Sequence, residues 1–256
     1  MNGLMPSLAG LNEGLRVRQI AAFNLLTCSV GDELGAVVAR TDLQGIDQIP
    51  IKDGERIVAV WEHPSSREWA KRPLDDSLLV SADAALWDFI HSVHEQSYRL
   101  VVEQTRITGI VTWADLLKVP VLVLAFSLLA ELELAMNRRI MEQYADDSWV
   151  ELLDKREQEK IWWRQGKLSD ENLSLPTIEL AYLWHKAKLL RTLLGAGRDF
   201  DSELAKVTQL RNDVDHVKEI VRSDGDLKAF VDRLETAEAW LKIVKGSGAA
   251  AAGMRA

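Results

Sequence analysis

Within six consecutive residues, Arg211-Asn212-Asp213-Val214-Asp215-His216, the chain sets a guanidinium, an amide and an imidazole. Those groups suffice to hold a phosphodiester and move its proton. The guanidinium offers phosphate oxygens a planar fork of donors, and the imidazole changes charge near neutral pH. The pattern from Ser202 to Arg222 is helical. At about 100° per residue, Leu204, Val207, Leu210, Val214, Val217 and Val221 form one apolar stripe, with Arg211 at its edge. Asn212 and His216 share the opposite polar arc, so the imidazole is expected to meet solvent, ligand or another chain. Arg211 and His216 stand roughly 140° apart around a regular helix. One helix positions them poorly for a single phosphate, whereas two copies facing each other across a two-fold axis place both pairs around one groove. A plainer reading uses the same residues. Arg211 and Asp215, at i and i+4, make an exposed ion pair worth about 0.5 kcal/mol or less, and His216 is an ordinary surface histidine.

The rest of the chain must position these groups. Its 256 residues, 47% apolar and 27% charged, have room for two modest domains. A net charge of -8 argues against a general nucleic-acid coat, so any RNA contact is local or assembled between chains. The single cysteine, Cys28, excludes an intrachain disulfide and a cysteine-based zinc site, which fits a reducing cytoplasm. Asn12, Glu13 and Arg16 interrupt the N-terminus early, and no signal peptide is read there. The apolar run Val119 to Ala130, stopped by Glu131 and Glu133, is too short to span a bilayer and reads as a buried helix, so no membrane partner is expected.

Two halves differ in period. After an N-terminal arm at 1–19, residues 20–118 read as mixed strand and helix built from a diverged repeat. The later copy has Leu79-Val80, a helical pattern from Ala84 to Val93, strands at Tyr98 to Val102 and Ile107 to Val111, and then Thr112-Trp113-Ala114-Asp115. The earlier copy keeps Ile49-Pro50-Ile51, a Lys52-Asp53-Gly54 turn and a strand from Arg56 to Val60. It departs at Trp61-Glu62-His63-Pro64. This layout resembles a tandem pair of CBS domains with a degenerate first copy. The resemblance implies a cleft for an adenine nucleotide or cyclic nucleotide, with Thr112 on phosphate and Asp115 on ribose. Thr112 and Asp115 are also spaced as the N-cap and N3 of an acidic capping box, which would place both with no ligand.

From 119 to 245 the pattern is helical: Pro120 to Gln143, Trp149 to Trp163, Thr177 to Leu194, Ser202 to Arg222 and Asp226 to Val244, separated by Gly, Ser and Pro. The small-residue stretch 246–256 is expected to be an unstructured tail. With Arg211, Asn212 and His216 in such a bundle, this half resembles the HEPN family, small all-α domains many of which cut RNA without a metal. The fold class is therefore expected to be α+β, a CBS-domain pair followed by an all-α HEPN-like bundle.

Together the resemblances imply a cytoplasmic homodimer that cuts RNA endonucleolytically under control of a small nucleotide. His216 would handle the proton, Arg211 the phosphorane charge, and Asn212 the orientation of the imidazole or a phosphate oxygen. Products would end in 2′,3′-cyclic phosphate, no cofactor would be required for catalysis, and a separate antitoxin would be a natural partner. The alternative is a catalytically silent, nucleotide-sensing dimerisation module, which the overall acidity and Asp213 and Asp215 favour. His91 and His94 lack a supporting carboxylate or cysteine cluster and read as helix surface. Trp162-Trp163 could stack bases, but bundle packing is the simpler use. No phosphate loop, nucleophile elbow or zinc-protease motif is present.

Overall fold

The computed structural model describes residues 8–43, 45–63, 68–93, 96–144, 146–195, 199–215 and 224–252, with 8, 9, 12, 41, 195, 224, 227 and 247–252 described by backbone alone. The chain divides into a unit spanning Leu11–Val121 and a second unit formed chiefly from Leu122 onward. After α1 (Leu8–Gly14), the first unit contains β1 (Cys28–Ser29), α2 (Leu34–Val38), β2 (Gln48–Asp53), β3 (Arg56–Glu62) and β4 (Ala70–Pro73). These are followed by β5 (Leu79–Ser81), α3 (Leu86–Ser92), β6 (Tyr98–Glu103) and β7 (Arg106–Thr112).

Two sheets, ordered β1-β2-β3-β4 and β5-β6-β7, repeat one pattern. A short strand pairs parallel with the next, which pairs antiparallel with the third. Adding 50 to each residue of β2 and β3 gives β6 and β7, and the irregularity at Ile51/Lys52 recurs at Val101/Val102. Both hairpins turn through two residues, the first with positive φ: Gly54 at 58° and Gln104 at 55°. A two-residue hairpin demands that conformation, which Gly adopts freely and Gln only with strain. Apolar residues of the first repeat bury Cys28, Val37, Ile49 and Ile51 together. A second cluster joins the repeats, with Ile57 and Val60 of β3 against Leu78, Tyr98 and Leu100. The segment at Val17 to Ala22 packs onto the second repeat: Val17 donates to the Ala84 carbonyl, and Ala22 bridges Ile110 in both directions. A Cβ on Gly109 would lie 2.6 Å from the Ala22 carbonyl oxygen, so this close approach requires glycine.

The second unit is helical: α4 (Val119–Gln143), α5 (Lys155–Asp170), α6 (Leu183–Leu189), α7 (Arg191–Gly195), α8 (Phe200–Asp215) and α9 (Asp224–Ala252). By length and composition α4 is apolar enough to cross a membrane. Here it buries Leu124, Leu128, Leu132, Met136 and Ile140 while Val119, Val123 and Phe126 are exposed. Val207 and Leu210 of α8 and Phe230, Leu234 and Trp240 of α9 are all buried, and the Phe200 and Trp240 rings stack at 5.8 Å.

Two expected helices are broken. In place of one helix over Trp149 to Trp163, a 3-10 turn at Asp147–Leu152 precedes α5, because Asp154 caps the new helix by accepting from the Glu157 amide at 3.0 Å. In place of Thr177 to Leu194, a 3-10 turn at Thr177–Leu180 is followed by α6 and α7. Here His185 Nδ1 accepts from the Tyr182 amide at 3.1 Å and restarts the helix. Of the stretch expected to be an unstructured tail, 246–252 is helical, because α9 continues to Ala252, consistent with the high helix propensity of its alanine run, and 253–256 lie outside the described residues.

Candidate functional site

The helical frame expected around Arg211 is present. On α8, Val207 and Leu210 are buried, whereas Arg211 and Asn212 are exposed. His216 lies outside the described residues, as do Val217 and Val221. Arg211 does not point into empty solvent. Its Nη1 stands 3.8 Å from Oε1 of Glu133 on α4, and Oε2 of the same carboxylate stands 3.8 Å from Nζ of Lys186 on α6. One carboxylate thus lies between two cations, one exposed and one with a side chain only 2% exposed. Burial pushes the Lys186 ammonium below its ordinary value; Glu133 and Glu179 oppose this, and Arg211 reinforces it. Glu179 in turn accepts from Asn137 Nδ2 at 3.1 Å. The arrangement gives an exposed guanidinium an anionic anchor behind it, leaving its remaining donors for an incoming anion.

Of the two nearby aspartates, only Asp213 is withdrawn from the surface. Asp213 is buried, ion-paired with Arg233 of α9, and accepts from Gln209 Nε2 at 2.8 Å. Its charge is therefore neutralised within the unit, while Asp215 remains exposed. Sequence periodicity did not reveal this, because Arg233 comes from another helix.

Thr112 and Asp115 are brought together in the first unit where β7 ends. The Thr112 amide donates to Asp115 Oδ2 at 2.6 Å and the Thr112 hydroxyl donates to the same oxygen at 3.1 Å. Asp115 Oδ1 pairs with Lys118 Nζ at 2.7 Å, and Lys118 also donates to the Ile20 carbonyl. The carboxylate is thus engaged by its own chain, as a capping residue is. By strand register, the residue of the first repeat corresponding to Thr112 is Glu62: Gln48 pairs with Glu62 as Tyr98 pairs with Thr112. Glu62 accepts from the Tyr98 hydroxyl at 2.5 Å and lies 3.5 Å from Arg72. Burial and the Glu62 carboxylate push the Tyr98 phenol well above its ordinary value. Glu62 therefore ties the repeats together, a role that the 50-residue offset could have signalled.

The remaining candidates separate clearly. His91 packs edge-on against Trp87 at 5.0 Å, and His94 lies outside the described residues. No group of three or more metal-ligating side chains occurs among the described residues. Trp149 and Trp240 are buried, as bundle packing requires, but Trp162 and Trp163 are 48% and 61% exposed, so packing does not account for them.

No protein-family model and no curated protein matches the chain. Among solved structures, it is similar to the CBS domain of the bacterial CNNM/CorC family Mg2+ transporter, at 15% identity over 44% of this chain and 79% of that one, with a TM-score of 0.36. It is also similar to that CBS domain in complex with ATP, at 15% identity over 44% of this chain and 92% of that one, with a TM-score of 0.35.

Proposed function

We propose that this chain is a nucleotide-regulated, metal-independent endoribonuclease of toxin or phage-defence type, acting as a cytoplasmic homodimer. The observation that carries the reading is the exposed guanidinium of Arg211, followed by exposed Asn212, on a helix that buries Val207 and Leu210. Arg211 stabilises the charge that develops on the phosphorane, and His216 takes the proton from a ribose 2′-hydroxyl. The 2′-oxygen attacks phosphorus, the 5′-oxygen leaves with a proton, and the products carry a 2′,3′-cyclic phosphate and a 5′-hydroxyl. Single-stranded or looped RNA suits such a centre because its backbone can bend into a groove between two α8 helices.

The repeated parallel-then-antiparallel hairpins support a CBS-type reading of Leu11–Val121, with an adenine nucleotide or cyclic nucleotide as regulatory ligand at Thr112 and Asp115. Ligand binding shifts the enzyme only by its difference in affinity between two arrangements. A second reading, a catalytically silent nucleotide-sensing dimerisation module, is favoured by Glu133, whose carboxylate competes with phosphate for Arg211. Incubating the purified full chain with total RNA in EDTA, beside His216→Ala, decides between them. Fragments from the natural chain alone support the nuclease; equal fragments from both, or none, support the silent module.

A further inference from the structure

Helices α5 and α6 each set a lysine over a tryptophan ring, Lys167 over Trp163 and Lys188 over Trp184, in an arrangement that folding does not require. Along α5, Arg156, Lys160, Trp163 and Lys167 are exposed and spaced i, i+4, i+7 and i+11, so they share one face. Lys167 Nζ lies 4.2 Å from the centre of the Trp163 ring, and Lys188 Nζ lies 4.8 Å from that of Trp184 on α6. Arg164 of α5 lies 4.4 Å from the centre of the ring of Tyr182, the residue that precedes α6. Beside Trp184 and Lys188 opens a cleft of about 290 Å³, walled also by Leu153, Glu157 and His185. Two of its lining residues are tied together: His185 is buried and its Nε2 meets Glu157 Oε2 at 3.2 Å.

Charge sets this face apart from the rest of the chain. Lys155 to Arg191 contains eight Lys and Arg against five Asp and Glu, whereas the whole chain carries -8. Lys155 and Arg156 also occupy the first turn of α5, where the helix dipole disfavours cations, so they do not serve that helix. A polyanion with flat apolar groups fits such a surface. An anionic membrane fits less well, because Trp162 and Trp163 are the only large apolar residues exposed on α5.

We infer that this α5–α6 face binds single-stranded RNA, with one base stacking on Trp163, another entering the cleft beside Trp184, and Lys160, Lys167 and Lys188 contacting the intervening phosphates. Aromatic stacking accepts any base, and an unpaired strand leaves its base faces available. The inference deepens the ribonuclease reading and rests on it for the choice of RNA, but binding can be measured apart from cleavage.

The test uses the full chain carrying Arg211→Ala and His216→Ala, so that RNA is not consumed, in EDTA. Fluorescence anisotropy follows a labelled oligouridylate strand, alone and as a duplex with oligoadenylate. The expected result is single-strand binding that Trp163→Ala weakens about tenfold or more and Trp163→Phe largely retains, with the duplex bound as weakly as by the alanine variant. Binding indifferent to Trp163, equal binding of duplex, or no binding overturns the inference. So does Trp163-dependent sedimentation with phosphatidylserine-phosphatidylcholine vesicles in place of RNA binding. Trp163-dependent RNA binding by a chain that never cleaves RNA keeps the platform and removes the nuclease; cleavage with Trp163-independent binding does the reverse.

Discussion

Asp115 in the first unit and Arg211 in the second are both charged groups suited to nucleotide chemistry, yet their surroundings differ in kind. Asp115 is 9% exposed and spends both carboxylate oxygens on Thr112 and Lys118. Arg211 is exposed, and its pair with Glu133 spans 3.8 Å. An ion pair of that exposure contributes on the order of 0–1 kcal/mol to folding. Folding therefore accounts for Asp115 and leaves Arg211 largely unexplained. A group already satisfied by its own chain must give up those partners to take a ligand, whereas an exposed guanidinium need only add one.

The contrast predicts unequal consequences of substitution. The largest belongs to Arg211→Ala, expected to lower RNA cleavage by about two orders of magnitude while leaving the urea midpoint nearly unchanged. A large loss of stability would place Arg211 with Asp115 as a folding residue. Next is Gly109→Ala, whose new Cβ meets the Ala22 carbonyl at 2.6 Å. It should cost about 1–3 kcal/mol in urea denaturation, because backbone must move. Asp115→Ala should cost about 0.5–2 kcal/mol through loss of the cap. If Asp115 also holds ribose, calorimetry with adenine mono-, di- and trinucleotides and cyclic dinucleotides will show binding to the natural chain that this variant loses. Binding that survives unchanged leaves Asp115 a cap alone.

The smallest effect concerns pH. Burial lowers the His185 pKa, against the opposing pull of Glu157, so the folded state favours the neutral ring and binds the proton less readily than the unfolded chain. The stabilisation is present above the ordinary value of about 6.5 and is lost as pH falls through the lower folded value. Thermal melting should therefore occur at lower temperature on acidification through that range, and His185→Gln should flatten the dependence. An identical slope in the variant would move the effect to other groups.

How much was legible in the sequence depends on whether the deciding partner was local. The hairpins of both repeats were, because a turn residue separates two apolar runs, although Gln104 adopts the conformation that Gly54 signals. Thr112 and Asp115 were legible twice over, since a helix cap and a nucleotide contact use the same residue types. The breaks at Asp154 and Tyr182 were not, because the apolar period runs across both and only the caps, one from a carboxylate and one from the His185 ring, reveal them. Burial of Asp213 depends on Arg233, and the setting of Arg211 on Glu133 and Lys186, all supplied by other helices. The exposed Trp163 was indistinguishable by residue type from the buried Trp149.

In the proposed function Arg211 and His216 form an RNA-cleaving centre. Single-turnover cleavage of an end-labelled single-stranded RNA in EDTA, with the product ends analysed, tests it most directly. The expected result is 2′,3′-cyclic phosphate ends from the natural chain and a rate at least about a hundredfold lower from both Arg211→Ala and His216→Ala. Undiminished cleavage by the double variant, or no cleavage by the natural chain with and without adenine nucleotides, would contradict it.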